Sequence, residues 1–215
     1  MYFGSRTISI PEQSIATTRT RANCWGRSPS LAVGFGSMWV TTDDDLLWSD
    51  DATLVAVDPV TNSVTRSLPA PKGATNIAVG FGSLWVLPAN GQRARLDPSD
   101  GRQLAVVPLA SPGNYQIRAG SEAMWVVDLI KGVDTVVRID PVSNTMVETV
   151  PLLEVASSFW WSDLAFTEGY LWTSSKQGLL LKIDATTNRV VARYGDTPGG
   201  GAVASTKDAV SGSAR

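Results

Sequence analysis

One short phrase occurs four times in this 215-residue chain, and it constrains the fold more than any other feature. Each copy places an aliphatic residue eight positions before a tryptophan. The tryptophans recur after 46, 40 and 47 positions, a period typical of propeller blades and longer than that of helical solenoid repeats. The four copies are Leu31 to Trp39, Ile77 to Trp85, Ile117 to Trp125 and Leu164 to Trp172.

The second copy shows that each repeat is a unit of β-sheet. Residues 77–80 and 83–87 are apolar runs separated by glycines, which predicts two strands joined by a tight turn. Residues 92–96 alternate polar and apolar, as a half-buried third strand does. Asp97-Pro-Ser-Asp-Gly101 has the composition of a turn, and residues 103–109 form a fourth strand. The fold class is therefore all-β, a β-propeller of four-stranded antiparallel blades.

An Asp-containing turn phrase follows every copy of the tryptophan phrase and supports the same division. The four phrases are Asp58-Pro-Val-Thr-Asn62, Asp97-Pro-Ser-Asp-Gly101, Asp140-Pro-Val-Ser-Asn144 and Asp184-Ala-Thr-Thr-Asn188. We predict one domain over residues 1–215, with blades at about 31–70, 77–110, 117–152 and 164–195 and partial strands at 6–12 and 202–215.

The partial strands leave the closure of the ring open. Residues 203–211 align with 77–85, with Ser211 in the tryptophan position, and residues 6–12 resemble a fourth strand. The two pieces could combine into a fifth blade and remove two sheet edges. Alternatively, the chain is part of a larger propeller, or an open arc pairs with a second copy.

Composition excludes several classes of function. The formal net charge is −2 and no basic stripe is present, which argues against nucleic-acid binding. No apolar run is long enough for a membrane span, and the lone Cys24 cannot form an intrachain disulfide. The chain contains no histidine, so it can assemble neither a Ser-His-Asp nor a Cys-His constellation, and zinc would have few ligands. We predict no cofactor.

Two phrases resemble a known family. Ala78-Val-Gly-Phe-Gly-Ser-Leu-Trp85-Val and Val137-Arg-Ile-Asp140-Pro-Val-Ser-Asn144 are similar to bacterial propellers related to streptogramin B lyase (virginiamycin B lyase-like) and to Tyr-Val-Thr-Asn-type repeat propellers. The resemblance runs from about residue 31 to the end and implies an extracytoplasmic or secreted location. The lyases of that superfamily use a histidine with a divalent cation and an acidic residue. Without histidine, no residue here can be assigned as the lyase base.

One polar position recurs immediately before the innermost strand of each blade. It holds Ser30, Asn76, Gln116 and Asp163. A ring of these side chains could bind a small polar ligand or ordered water at the mouth of the channel. The other interpretation is that they tie neighbouring blades together by hydrogen bonds.

Arg118 breaks the repeat more sharply, since the other copies have alanine at its position. A guanidinium on an innermost strand needs an anion, either Asp163 of the next blade or a ligand carboxylate or phosphate. Trp160 and Trp161 replace small residues of the repeat and, with Trp25 and Tyr115, could form an aromatic platform or fill the top of the propeller.

These features predict a noncatalytic binding module that uses its loop-rich face for a small molecule, a glycan or a protein. The predicted ligand-binding residues are Arg118, Asp163, Trp160, Trp161, Tyr115, Gln116, Asn76 and Ser30. The alternative is a streptogramin-lyase-like enzyme or a fragment of one. A loop at 41–51 concentrates carboxylates, of which Asp43, Asp45 and Asp50 could hold Ca²⁺ or form a solvated acidic loop.

Overall fold

The computed structural model describes residues 30–42, 52–74, 76–88, 92–108, 116–152, 163–174, 180–195, 203–205 and 210–212. All regular elements in these ranges are β-strands, arranged as four antiparallel four-stranded sheets and one two-stranded sheet. The predicted fold class, blades of four antiparallel strands with a partial fifth, is confirmed. Across the same ranges, no helix has the length and apolar character that crossing a membrane would require.

Each of the four complete sheets is a meander whose strands pair in chain order. Blade 1 contains β1 (Leu31–Gly34), β2 (Ser37–Thr42), β3 (Thr53–Asp58) and β4 (Ser63–Pro69). Blade 2 contains β5 (Asn76–Gly80), β6 (Ser83–Leu87), β7 (Gln92–Leu96) and β8 (Gln103–Pro108).

Blades 3 and 4 repeat this order. Blade 3 contains β9 (Ile117–Ala119), β10 (Met124–Ile130), β11 (Val133–Asp140) and β12 (Thr145–Pro151). Blade 4 contains β13 (Leu164–Thr167), β14 (Tyr170–Ser174), β15 (Leu180–Asp184) and β16 (Arg189–Tyr194). The two-stranded sheet consists of β17 (Val203–Ser205) and β18 (Val210–Gly212). The predicted terminal strand at 6–12 lies outside the described residues.

Two-residue hairpin turns join the first and second strands of three blades. The turns are Phe35-Gly36, Phe81-Gly82 and Glu168-Gly169, and both residues of each have positive φ. Paired positive φ angles match the right-handed twist of the flanking strands, and glycine adopts them without a Cβ penalty. In blade 3 this turn type, Lys131-Gly132, instead joins the second and third strands.

The Asp-containing turns form as predicted, with the aspartate carboxylate accepting backbone N–H groups. Asp58 Oδ1 accepts from the N–H groups of Val60 at 2.7 Å and Thr61 at 3.2 Å. Asp184 Oδ1 accepts from Thr186 and Thr187, both at 2.8 Å. The last residue of each turn has a positive φ, supplied by Gly101 in blade 2 and by asparagine in the other three.

Successive blades pack through two different faces. We call the face of a sheet that carries its repeat tryptophan the Trp face, and the other the opposite face. Trp39 belongs to one core cluster with Leu84 and Val86, which lie on the opposite face of blade 2. Trp85 shares a second cluster with Met124 and Val126 of blade 3. The Trp face of each blade therefore packs on the opposite face of the next.

Three of the four repeat tryptophans are buried core residues, as predicted. Trp39, Trp85 and Trp125 are at most 2% exposed. The indole Nε1 of Trp39 donates to Gly34 O, and that of Trp85 donates to Gly80 O, each at 3.1 Å. Trp172 is only partly buried, so the prediction for this residue holds less well.

Candidate ligand-binding site

The recurring polar position before each innermost strand makes contacts between blades. Ser30 Oγ accepts a hydrogen bond from Ile77 N of blade 2 at 3.2 Å. Asp163 Oδ2 accepts in the same way from Val203 N of β17 at 3.0 Å. At these two junctions the side chain accepts a backbone N–H near the start of the next innermost strand, which supports the inter-blade interpretation of this position.

Arg118 lies at the centre of β9, directly opposite Trp125 on β10. Its NH2 group donates to Asp163 Oδ1 at 3.3 Å, which is the ion pair that the sequence suggested. Its NH1 group donates to Ile117 O at 2.9 Å and, more weakly, to Gln116 Oε1 at 3.4 Å. The Arg118 side chain nevertheless remains 33% exposed, so the guanidinium is paired and still reachable from solvent.

Asp163 takes part in four hydrogen bonds, one of them with Arg118. Besides Arg118, its Oδ1 accepts from Leu164 N at 2.8 Å, while Oδ2 accepts from Val203 N. Its own backbone N–H donates to Ser174 Oγ at 3.4 Å. These bonds fix the carboxylate between blade 4 and β17, so Arg118 faces an anion whose position the backbone determines.

The predicted site residues are only partly brought together. Gln116, Arg118 and Asp163 form one contiguous cluster, whereas Ser30 and Asn76 occupy the equivalent position in blades 1 and 2. Gln116 also accepts through its backbone oxygen from Val127 N at 3.2 Å. The remaining predicted ligand-binding residues, Tyr115, Trp160 and Trp161, lie outside the described residues together with Trp25, and so does the acidic loop with Asp43, Asp45 and Asp50.

The described ranges contain no group of three or more His, Cys, Asp or Glu side chains arranged to hold a metal ion. The side chains of Gln116, Arg118 and Asp163 offer recognition by hydrogen bonds and charge. A planar guanidinium beside an amide suits a carboxylate, a phosphate or a polar ring substituent.

Sequence reasoning missed several buried charges. Arg93 on β7 is fully buried, as is Asp128 on β10, and Asp134 on β11 is nearly so. The signal was available for Arg93, because the strand register aligns it with aliphatic residues in the other three blades. The aligned residues are Leu54, Val136 and Leu180.

A cation opposite the repeat tryptophan was also missed. Arg95 lies over the Trp85 ring, with Cζ 5.3 Å from the ring centroid, and Arg138 lies over Trp125 at 5.7 Å. In blade 4, Lys182 Nζ lies 5.2 Å from the centroid of Trp172 and 3.7 Å from that of Tyr170. Each of these cations lies on the third strand of its blade and over the repeat tryptophan of the same blade. We therefore expect them to stabilise the blades and not to bind a ligand.

The scaffold can be classified by comparison with solved structures. The chain is similar to apo AztD from Citrobacter koseri, with a TM-score of 0.58 and 12% identity over 80% of this chain and 48% of that one. It is equally similar to hydrazine synthase of Kuenenia stuttgartiensis, with a TM-score of 0.58 and 13% identity over 80% of this chain and 51% of that one. Both are propeller-type folds, so the described blades are those of a β-propeller.

The chain spans about half the length of these structures. No protein-family model matches the sequence, and no curated protein is significantly similar to it. At 12 and 13% identity this likeness defines the fold alone, because one fold carries many different functional sites.

Proposed function

We propose that this protein is a noncatalytic β-propeller binding module whose loop-rich face takes a polar or anionic ligand at Arg118. One observation carries the proposal. Arg118 occupies a position held by alanine in the other three blades, and it remains one third exposed although it is paired with Asp163. Residues that depart from a repeat pattern are expected at functional sites, and a charged side chain that solvent can reach is able to contact a ligand.

The geometry supports an anionic or polar group as the part of the ligand that is recognised. Gln116 and Arg118 supply an amide and a guanidinium side by side, and Asp163 is fixed by backbone donors so that it orients the arginine. An incoming carboxylate could share the guanidinium with Asp163. If Trp160, Trp161 and Tyr115 lie on the same face, they would stack on a ring or a sugar attached to that group.

The streptogramin-lyase-like interpretation has no supporting observation. The lyase resemblance rests on blade and turn phrases, no sequence family matches, and the chain offers no histidine. A bacterial origin and an extracytoplasmic location stay predictions from the same resemblance.

The proposal is tested by titrating the protein with small aromatic carboxylates and with the corresponding neutral alcohols, following tryptophan fluorescence. We expect saturable binding of the carboxylates, weakened at least about tenfold in Arg118→Ala. Arg118→Lys should recover part of the affinity, because it keeps the charge without the planar fork.

Arg189→Ala is the matched control, since it removes an exposed arginine from β16 and should bind like the wild type. Trp160→Ala tests the aromatic contribution separately. Equal affinities in wild type, Arg118→Ala and Arg189→Ala would reject this site.

A further inference from the structure

The Asp163 carboxylate connects the inner strands of blades 3 and 4 with β17. Its Oδ1 atom accepts hydrogen bonds from Arg118 of β9 at 3.3 Å and from the N–H group of Leu164 in β13 at 2.8 Å. Its Oδ2 atom accepts from the N–H group of Val203 in β17 at 3.0 Å. The same side chain therefore contacts the candidate ligand-binding residue and the strand that follows blade 4.

Ser30 occupies the equivalent position in blade 1 and makes the equivalent bond without a charge. Its Oγ atom accepts from the N–H group of Ile77 in β5 at 3.2 Å. A neutral oxygen is thus sufficient to bind the next inner strand at this position. The Asp163 side chain makes the same bond but is only 20% exposed, and a carboxylate so far removed from water is stable only when its charge is compensated.

Arg118 supplies the compensating charge. The other three copies have alanine at its position and a neutral side chain at the position of Asp163, so the two charges depart from the repeat together. Without the guanidinium, Asp163 would keep its backbone donors but lose its counter-charge, and rotation of the carboxylate towards water would become favourable. That rotation would break the hydrogen bond to Val203 N. The attachment of β17 therefore depends on Arg118, whereas Ser30 binds β5 without any cation.

The strand β17 belongs to the smallest sheet among the described residues. It pairs with β18 through three residue pairs, whereas the other sheets have four strands each. A two-stranded sheet has little stability of its own, so its contacts with the neighbouring blade determine how often it opens. The side chain of Val203 is buried, so loss of the bond to Asp163 is expected to loosen β17 and not to detach it.

We propose that Arg118 and Asp163 form a switch that couples the ligand site to β17. A carboxylate or phosphate bound at Arg118 shares the guanidinium with Asp163 and brings a second negative charge beside it. The repulsion between the two anions favours rotation of Asp163 away from Val203 N, so the bound anion loosens β17. By linkage, loosening of β17 in turn favours anion binding. This inference rests on the proposed function, because the trigger is the anion taken at Arg118.

Amide hydrogen exchange of the purified full chain, measured by NMR, tests the coupling without a ligand. We expect the Val203 amide to exchange at least about tenfold faster in Arg118→Ala than in the wild type, while the Ile77 amide keeps its rate. The double variant Arg118→Ala with Asp163→Asn should restore slow exchange, because the neutral amide oxygen still accepts the N–H group and needs no cation. Arg189→Ala is the matched control, since it removes an exposed arginine and should exchange like the wild type.

Two results of this experiment overturn the proposal. The first is an Arg118→Ala variant whose Val203 amide exchanges at the wild-type rate. The second is fast exchange that the double variant does not restore, because Arg118 would then support β9 directly and not through the charge of Asp163.

Benzoate serves as the probe for the ligand effect, with benzyl alcohol as its neutral control. Saturating benzoate should speed the exchange of the Val203 amide in the wild type, and benzyl alcohol should leave it unchanged. Benzoate that binds at Arg118 in the fluorescence titration without changing this exchange overturns the switch and leaves the proposed function standing. Absence of benzoate binding, together with faster exchange in Arg118→Ala, overturns the proposed ligand and still supports the coupling between Arg118 and β17.

Discussion

The guanidinium of Arg95 lies over the Trp85 ring and at the same time binds the next blade. Its Nε donates to Ser83 Oγ at 2.8 Å and its NH2 to Phe81 O at 3.1 Å, both within blade 2. Its NH1 donates to Asn144 Oδ1 at 3.1 Å and to Pro141 O in the Asp-containing turn of blade 3. One side chain thus closes the Trp face of its own sheet and connects it to its neighbour.

These contacts predict that Arg95 stabilises the packing of blade 2 on blade 3. We expect Arg95→Met to lower the free energy of unfolding by about 1.5–3 kcal/mol, because the acceptors on blade 3 lose a charged donor. Arg102→Met is the control, since Arg102 is mostly exposed and its carboxylate contacts are 3.8 and 3.9 Å long, and it should cost less than about 1 kcal/mol. Urea denaturation measures both, and equal losses would contradict the role assigned to Arg95.

The repeat tryptophans should differ in their contributions. Trp85→Ala should cost about 3–5 kcal/mol, since the ring is fully buried between blades 2 and 3. Trp172→Ala should cost roughly half as much, because the Trp face of blade 4 is incompletely covered and less apolar area is lost. Chemical denaturation of the two variants gives the comparison, and a larger loss for Trp172→Ala would mean that its face is covered in solution.

Local patterns explain why so much of the scaffold could be predicted. The hairpin glycines, the Asp-containing turns and the period of two each act within a few residues, so the sequence of one repeat suffices to identify them. Gly80 could not be explained from local sequence in this way. Its φ is not positive, and it is the last residue of β5, where it lies close to Ala119 of blade 3. That reason for a glycine depends on the neighbouring blade.

The candidate site was less predictable for the same reason. Comparison of the copies singled out Arg118, and its pairing with Asp163 was expected from the order of the blades. Arg93 could have been found in the same way, but whether a charge in an aliphatic position is buried depends on the sheet packed against it. The partial exposure of Trp172 likewise depends on the strands beyond blade 4, and the phrase around this tryptophan gives no sign of it.

The Asp-containing turns should make the protein sensitive to acid. The hydroxyl of Ser143 and the backbone N–H groups of Val142 and Ser143 lower the pKa of Asp140 in the folded state. The pKa values of Asp58, Asp97 and Asp184 are lowered by hydrogen bonds within their own turns. A lowered folded-state pKa contributes stability that is present above the unfolded-state value, near 3.8, and is lost as the pH falls through the folded-state value.

We therefore expect the unfolding midpoint of the wild type to decrease between pH 5 and pH 3. Asp140→Asn should flatten part of this decrease, because the amide oxygen still accepts N–H groups but does not titrate. Asp140→Ala is the control, since it loses the acceptor altogether and should be less stable at both pH values. Thermal unfolding monitored by circular dichroism at the two pH values distinguishes these outcomes, and identical pH slopes in wild type and Asp140→Asn would contradict the assignment.

The last prediction concerns the close approach of blades 3 and 4 at Gly120. A Cβ at this position would lie 2.7 Å from the Nε1 atom of Trp125 and 2.8 Å from Phe166 Cε2, distances at which neither rigid ring can remain in place. Because the φ of Gly120 is not positive, Gly120→Ala tests this contact without backbone strain. We expect a loss of about 1–3 kcal/mol in urea denaturation and a change in tryptophan fluorescence as the Trp125 ring shifts. Ser121→Ala is the control, since Ser121 is exposed in the same turn and should leave both measurements unchanged. A Gly120→Ala variant as stable as Ser121→Ala would show that the blades are further apart in solution than this packing requires.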